Sequence, residues 1–216
     1  RGLGDVYKRQ YEACEEIKIL AETLQAPVVS YQNGRGILDE RHHLAHTNTA
    51  GAMLWKNCDA AISIGCRMQA ERMSWGMDDA IKIIHIDIDP TEINRIMKPD
   101  VGLVSDAAVA TKNIINALKK YNIKRPSREE EMLNLKARAE KLMEEIAGPQ
   151  MGWLRAIRDV LPDNGLFVDE FTQVGYMSRV GFPVYNPRSM ITPGYQGTLG
   201  YGYATALGVK VAHPDK

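Results

Sequence analysis

The chain has 216 residues, enough for one large domain or for parts of two. Its 27 basic and 27 acidic residues cancel, which favours neither a nucleic acid nor an anionic membrane as a partner. Its apolar runs all fall short of the roughly 20 residues that a membrane-spanning helix needs. We therefore expect a globular protein that binds no nucleic acid and enters no membrane.

The cysteines indicate the cellular compartment of the protein, and the chain ends indicate a fragment. Cys14, Cys58 and Cys66 are odd in number and lack a CxxC spacing, which is typical of reduced thiols in a cytoplasmic protein. Residues 1–10 lack the apolar core of a signal peptide and match no element, which favours an origin outside the natural chain. The chain starts without methionine and stops directly after a helix-like segment, so we expect an interior fragment of a longer protein.

Helix-like and strand-like segments alternate along the first half of the chain. Apolar residues at helical spacing predict helices over 11–25, 45–57 and 106–121. Short apolar runs bounded by turn residues predict strands over 27–31, 59–64, 81–88 and 101–104. Connections this long imply right-handed crossovers between parallel strands and not hairpins. We therefore predict a doubly wound, Rossmann-like α/β central domain over residues 11–122.

Two further segments carry the residue types of a helix start. After the strand over 81–88, Asp89 suits an N-cap and Pro90 suits the first helical position. Ser127 followed by Glu130 has the spacing of a capping box, which predicts a highly charged helix to about Ile146. This helix and the break before it define a linker over residues 123–150.

A second α/β unit is predicted over residues 151–216. It consists of a helix over 151–161, a strand over 165–169 that ends in a turn over 170–173, and a helix over 204–212. Before the last helix stand glycines at 194, 197, 200, 202 and 208. This backbone, poor in side chains, lets a ligand or a helix approach closely, although a flexible turn before a buried helix explains the same pattern.

A nucleotide site is one interpretation of the central domain. Ligands of open α/β sheets bind outside the carboxyl ends of the strands, a rule that selects residues 33–36, 65–67, 87–89 and 105–106. Gly65 suits close approach, Arg67 suits a phosphate, and the carboxylates of Asp87 and Asp106 suit ribose hydroxyls. Against this interpretation, no GxGxxG fingerprint opens the domain, and Asp89 and Asp106 equally suit helix caps.

The histidines offer a weaker candidate site. His42, His43 and His46 include the i,i+4 spacing of a metal-binding pair, but no third ligand is suitably placed. A loop or helix surface is therefore favoured for them. His85 lies on a predicted buried strand and is expected to be a core histidine.

The order of these segments resembles the thiamine-diphosphate-dependent decarboxylase and carboligase family, which includes acetolactate synthase, pyruvate oxidase and benzoylformate decarboxylase. Acetolactate-synthase-like members are the most similar. The matching stretches are residues 26–29 with 34–36, AISIGCR over 61–67, IIHIDIDPTEI over 83–93, FVDE over 167–170, and 187–208 with 212–215. Members have pyrimidine-binding, central and diphosphate-binding α/β domains. The resemblance thus implies a central domain followed by the truncated start of the diphosphate-binding domain.

The resemblance also implies roles for individual residues. The backbone carbonyl of Gly197 is implied to accept a hydrogen bond from the aminopyrimidine of the cofactor. Leu199 is implied to wedge under the cofactor and hold it bent, with its amino group beside the thiazolium carbon. The other residues implied to bind the cofactor are Glu170, Thr172, Gln173 and Thr198, with Gln173 alternatively facing the substrate. No metal ligand is implied within this chain, because the magnesium motif is expected beyond it.

Flavin-containing relatives suggest a second cofactor. In them the positions of Gly65, Arg67, Asp87 and Asp106 contact FAD. This sequence departs from their pattern, since residues 69–71 replace paired aspartates and Ser105 replaces a glycine. FAD therefore stays an open alternative.

The function implied by the resemblance is that of a thiamine-diphosphate- and magnesium-dependent enzyme. Such an enzyme decarboxylates a small 2-oxo acid and transfers the carbanion equivalent to an acceptor, and it works as a homo-oligomer, a dimer or a tetramer. The fragment alone is expected to be inactive, because the activating glutamate and the metal ligands lie elsewhere. The alternative function is a non-catalytic module that binds FAD, NAD or ADP.

Overall fold

A computed structural model of the protein describes residues 13–69, 71–76, 80–193 and 197–216. The segment predicted at 1–10, the first two residues of the helix predicted over 11–25, and Gly194 lie outside the described residues. The chain divides into two compact units, one containing residues 13–26 and 51–126 and the other containing 27–50 and 127–216. The strands form three separate parallel sheets, which confirms the predicted α/β class.

The elements of the described residues are as follows. The strands are β1 (Val28–Val29), β2 (Ala45–His46), β3 (Ala60–Ile64), β4 (Lys82–Asp87), β5 (Val101–Val104), β6 (Phe167–Val168) and β7 (Met190–Ile191). The α-helices are α1 (Cys14–Leu24), α2 (Asn48–Trp55), α3 (Ala107–Leu118), α4 (Glu129–Val160), α5 (Gln173–Gly181) and α6 (Tyr201–Ala212). Short helical turns cover Gln32–Gly34, Glu71–Trp75 and Lys119–Tyr121.

The first unit is built on a three-stranded parallel sheet. Strands β3, β4 and β5 lie side by side, with Ile62 opposite Ile84 and Ile86 opposite Leu103. The predicted strands over 59–64, 81–88 and 101–104 agree with them to within one residue at each end. Helix α1 packs against α3, and the apolar side chains of β4 supply much of the core.

The helix predicted after β4 is absent, and the prediction of Asp89 as its N-cap is wrong. The backbone after β4 forms turns. The Asp89 carboxylate accepts hydrogen bonds from the Thr91 backbone N–H at 2.9 Å and from its hydroxyl at 2.7 Å. This local bonding closes a turn, because a short acidic side chain satisfies the nearby amide in a non-helical conformation.

The second unit contains two strand pairs that the sequence predicted only in part. Strand β1 pairs with β2, and β6 pairs with β7, both in parallel. The helix predicted over 45–57 begins only at Asn48, because the backbone of Ala45 and His46 pairs with β1. Strand β7 and helix α5 were not predicted. The core of this unit consists of Met151, Leu154, Phe182, Val184 and Met190.

Helix α4 joins the predicted linker helix to the helix predicted over 151–161. Its 32 residues are interrupted at Ala147, whose φ of −146° and ψ of 43° are not helical. Pro149 stands two residues later and cannot donate a helical hydrogen bond, which accounts for the kink. The helix predicted to about Ile146 and the helix predicted over 151–161 therefore form one helical element with a bend between them.

Buried Arg35 joins residues 27–50 to the rest of the second unit. Its side chain donates to the carbonyl oxygens of Ser178 at 3.2 Å, Arg179 at 2.8 Å and Phe182 at 2.5 Å, at the C-terminal end of α5. It also pairs with Glu40, which accepts from the backbone N–H of Val184. The sequence had assigned residues 33–36 to a ligand site, but only 2% of Arg35 is exposed and the residue caps a helix.

Candidate functional site

The candidate site is formed by two segments of the second unit that approach each other. One is the turn that follows β6, residues 169–172, and the other is the glycine-rich loop that precedes α6, residues 197–200. The Glu170 carboxylate accepts hydrogen bonds of 2.7 Å from the backbone N–H groups of Phe171 and Gly202. A Cβ at Gly202 would lie 3.0 Å from the Asp169 carbonyl oxygen, so a glycine permits this close approach.

The turn continues directly into α5. Thr172 caps the helix, since its hydroxyl oxygen accepts from the Gly175 N–H at 3.0 Å. An accepting hydroxyl keeps its own proton to donate to a ligand oxygen. A Cβ at Gly175 would lie 1.8 Å from the Glu170 carbonyl oxygen, so only glycine fits there. The side chain of Gln173 accepts from the Gln150 amide at 2.7 Å.

The glycine-rich loop lies on an aromatic ring. A Cβ at Gly197 would lie 2.8 Å from the tip of the Phe171 ring, so the backbone rests directly on that ring. Gly200 turns the chain into α6 with a φ of 81°. Between them Thr198 is exposed, and Leu199 projects with 80% of its surface exposed. A leucine on a loop supported in this way is well placed to contact a ligand.

A buried ion pair lies next to the Phe171 ring. Arg179 Nε donates to Asp169 Oδ2 at 3.1 Å, and the two side chains are 13% and 0% exposed. The guanidinium lies over Phe171, 4.8 Å from the ring centre, and over Tyr176 at 5.3 Å. Burial raises the pKa of Asp169, although Arg179 and the Thr192 hydroxyl oppose the shift.

The charge at the site is negative on the side of Glu170. The N–H groups of Phe171 and Gly202 lower the pKa of this carboxyl group, so it is ionised at neutral pH. An ionised carboxylate at the N-terminus of α6 is stabilised by the helix dipole. A diphosphate bound beside it would therefore need a cation. Within the described part of the chain, no cluster of three or more carboxylate, histidine or cysteine side chains could hold one.

The candidate nucleotide residues gather at one edge of the first unit's sheet. The Gly65 N–H donates to the Ile86 carbonyl at 2.8 Å, and the Ser105 N–H donates to the Asp87 carbonyl at 2.9 Å, so the ends of three strands meet. Each candidate side chain nevertheless has a partner within the chain. Asp87 accepts from the Asp89 N–H, while Asp106 caps α3 by accepting from the first-turn amides.

Arg67 of this set forms a two-point ion pair with Glu92. Its Nε and Nη2 lie 2.6 Å and 3.0 Å from the two carboxylate oxygens. Arg95 pairs with the same carboxylate, and these partners lower the pKa of Glu92 against the effect of burial. A phosphate could recruit Arg67 only by competing with this bidentate pair.

The histidine segment serves the structure of the second unit. The His42 and His43 rings stack with centroids 4.5 Å apart, and Lys136 donates to the His42 carbonyl at 2.5 Å. His46 is 2% exposed, so the expectation of a surface position is wrong for this residue. His85 is a buried histidine with Nδ1 3.2 Å from the Ile93 carbonyl oxygen, as the sequence predicted.

Three residues of the site escaped the sequence prediction. Phe171 was predicted only as part of the turn over 170–173 and Gly202 only as one glycine of the loop, while Arg179 was given no role. A signal that could have predicted the position of Arg179 was Thr172, which suits an N-cap. A helix that begins there places residue 179 two turns later, on α5.

None of the described helices is long and apolar enough to cross a membrane.

The fold and the site define an α/β protein with parallel sheets, whose glycine-rich loop, threonine hydroxyl and N-terminus of α5 suit an anionic cofactor. The sequence profile of the family described as thiamine pyrophosphate enzyme, central domain, matches residues 4–118. The profile described as thiamine pyrophosphate enzyme, C-terminal TPP-binding domain, matches residues 172–216. The chain belongs to the thiamine pyrophosphate enzyme family, which confirms the resemblance seen in the sequence (thiamine pyrophosphate and thiamine diphosphate are the same compound).

Curated relatives point in the same direction. The chain is 31% identical to a probable acetolactate synthase large subunit of Methanococcus aeolicus and 30% identical to one of Methanocaldococcus jannaschii. It is also 30% identical to an acetolactate synthase of Arthrospira platensis. These matches cover 94%, 94% and 92% of the chain but only 38%, 37% and 37% of the relatives. The chain thus spans less than two fifths of the length of these proteins.

Proposed function

We propose that the full-length parent protein is a thiamine-pyrophosphate- and magnesium-dependent enzyme of the acetolactate synthase type. It decarboxylates a small 2-oxo acid and transfers the remaining carbon unit to an acceptor carbonyl. The observation that carries the proposal is the exposed Leu199, held between Gly197 and Gly200 within the segment matched by the TPP-binding profile. The names of the similar proteins support the same reaction type.

The residues of the site fit the cofactor in several respects. The bound cofactor would supply the electron sink for decarboxylation. Gly197 would offer its backbone carbonyl to the aminopyrimidine, and Leu199 would contact the cofactor and hold it bent. The Thr172 hydroxyl keeps a proton to donate to the diphosphate. Gln173 and Thr198 are further proposed cofactor-binding residues, with Gln173 facing either the diphosphate or the substrate.

Glu170 has a structural role in this proposal, because it holds the two segments of the site together. Its carboxylate accepts from the Phe171 and Gly202 N–H groups and so holds the N-terminus of α6 against the turn after β6. Because this carboxylate would repel a diphosphate, the proposal requires a magnesium ion to neutralise part of the negative charge. The magnesium ligands and the activating glutamate belong to parts of the parent outside these residues.

The finer features of the proposal follow from the family and, for the location, from the reduced cysteines. The parent forms a dimer or tetramer and works in the cytoplasm, and residues 123–150 link the central domain over 11–122 to the cofactor domain from 151 along the chain. The 216-residue chain alone should give no turnover. FAD is a further proposed ligand of Gly65, Arg67, Asp87 and Asp106, supported by the meeting of three strand ends at that edge.

The test uses the full-length parent. Carbon dioxide release from a panel of 2-oxo acids is measured with thiamine pyrophosphate and Mg²⁺ together, with each alone, and after chelation. We expect turnover only when both are present, and indifference to both contradicts the proposal. A parallel titration with FAD, NAD and ADP tests the alternative. Dinucleotide binding without any response to thiamine pyrophosphate favours a non-catalytic module.

A further inference from the structure

Stability alone does not explain the ion pair between Asp169 and Arg179. Both side chains are largely buried, and a single hydrogen bond of 3.1 Å joins them. Desolvation of two charges offsets most of their attraction, so such a pair adds little to the free energy of unfolding compared with apolar side chains of similar volume. Its contacts with the neighbouring rings suggest another role.

The guanidinium of Arg179 contacts an aromatic pair. It lies over Phe171 and Tyr176 with separations of 4.8 Å and 5.3 Å, and the two rings meet edge to face at 5.6 Å. Arg179 Nη2 is buried and has no hydrogen-bond partner among the described residues. The guanidinium is therefore in contact mainly with the two rings, and such cation–π contacts strengthen when water is excluded.

The Phe171 ring is in turn the surface that supports the glycine-rich loop. A Cβ at Gly197 would lie 2.8 Å and 3.0 Å from two of its carbon atoms, so the loop backbone lies directly against the ring. Phe171 also stands between Glu170 and Thr172 in the turn. The ring therefore touches both halves of the candidate site.

We propose that Arg179 is a positioning residue of the thiamine pyrophosphate site, an inference that rests on the proposed function. Asp169 holds the guanidinium, the guanidinium holds Phe171, and Phe171 sets the position of Gly197. The height of the loop in turn decides where Leu199 meets the cofactor. Arg179 itself touches no cofactor atom in this proposal.

The test compares variants of the full-length parent. The double variant Asp169→Asn/Arg179→Met removes the pair without leaving a buried charge unpaired, and Arg179→Lys keeps the charge but loses the planar contact with the rings. The control is Arg158→Met. Arg158 also lies over two rings of the same unit, at 5.1 Å from Phe182 and 4.8 Å from Tyr185, but these rings do not support the loop.

Two readouts separate positioning from stability. The first is the dissociation constant for thiamine pyrophosphate in the presence of Mg²⁺, and the second is amide hydrogen exchange of the peptide that contains residues 197–202. We expect the double variant to bind the cofactor at least roughly tenfold more weakly and to exchange faster in this peptide. The dissociation constant and the exchange rate of Arg179→Lys should lie between those of the double variant and the wild type. Both values of Arg158→Met should match those of the wild type.

The inference is overturned if the double variant and Arg179→Lys both stay within about twofold of the wild type in affinity and exchange. If the double variant fails to fold, the affinity and the amide exchange of Arg179→Lys alone decide whether the inference stands, with the same twofold limit. A wild-type parent that binds no thiamine pyrophosphate overturns the proposed function instead. In that case amide hydrogen exchange alone tests whether Arg179 holds the glycine-rich loop in place. Faster exchange of residues 197–202 in the Arg179 variants than in Arg158→Met supports this role.

Discussion

The carboxylate of Glu170 accepts a hydrogen bond of 2.7 Å from the backbone N–H of Gly202. This contact joins residues 32 positions apart and holds the first turn of α6 against the turn that follows β6. The same carboxylate also accepts from the Phe171 N–H. One side chain thereby closes the turn and caps the helix that follows the glycine-rich loop.

Glu170→Gln should loosen the N-terminus of α6. The fold lowers the pKa of the carboxyl group, so its stabilising effect is present above the unfolded value of about 4.3 and is lost as the pH falls through the folded value. We therefore expect faster amide exchange at 200–204 in Glu170→Gln than in wild-type protein at pH 7. An exchange rate equal to that of the wild type would contradict the capping role.

Leu199→Ala should reduce activity far more than stability. The side chain is 80% exposed, so its truncation removes little packing, and the free energy of unfolding should change by less than about 0.5 kcal/mol. Buried Leu154 provides the contrast, since Leu154→Ala should cost about 2–5 kcal/mol. The measurements are turnover with thiamine pyrophosphate and chemical unfolding of the full-length parent. Equal losses of activity and stability in Leu199→Ala would make this leucine a core residue.

Gly175→Ala should disrupt the turn after β6. The new Cβ would lie 1.8 Å from the Glu170 carbonyl oxygen, and relief of this clash requires a backbone shift that costs about 1–3 kcal/mol or more. Gly152→Ala in α4 is the matched control, because the nearest atom to its Cβ belongs to the flexible Arg155 side chain at 4.0 Å. The control should retain or slightly raise the melting temperature. A similar effect of both substitutions would show that the close approach at Gly175 is unimportant.

Arg35→Met should destabilise the second unit strongly. It leaves Glu40 as a buried charge without its partner and frees three carbonyl groups at the end of α5, a loss of about 3–5 kcal/mol in the free energy of unfolding. Arg35→Met/Glu40→Gln should restore part of this loss. Arg41→Met, which removes an exposed arginine from its pairs with Asp39 and Asp163, should have no measurable effect. Urea unfolding of the three variants measures these differences.

His46 should make stability depend on pH. Burial, with the charge of Lys136 as the next cause, lowers the pKa of this imidazole to about 4. Because the unfolded chain binds the proton more readily, stability is complete above about pH 6.5 and falls by up to about 3 kcal/mol as the pH drops toward 4. His46→Gln should remove this slope between pH 6.5 and 4, whereas exposed His213→Gln should leave it unchanged. Identical unfolding curves of wild type and His46→Gln across this range would refute the assignment.

Local patterns allowed a correct prediction of the main elements of the first unit. The strands at 59–64, 81–88 and 101–104 differ from β3, β4 and β5 by one residue at most at either end. The start of α3 at Asp106 was also predicted, since an N-cap depends on neighbours within three residues. Asp89 shows the limit of this method, because the same residue type closes a turn as readily as it caps a helix.

The sequence by itself determined the family, the parallel α/β class and the segments that form the candidate site, because these depend on residue spacing and on the order of motifs along the chain. Only the tertiary structure decided that Arg35 caps α5, that Glu170 caps α6, and that Arg179 supports Phe171. Each of these contacts depends on packing that brings side chains to backbone groups and rings on other elements, and the first two join residues far apart in the chain. Residue spacing along the chain carries no direct record of such contacts, since burial and the need to pair every buried charge select among many possible partners.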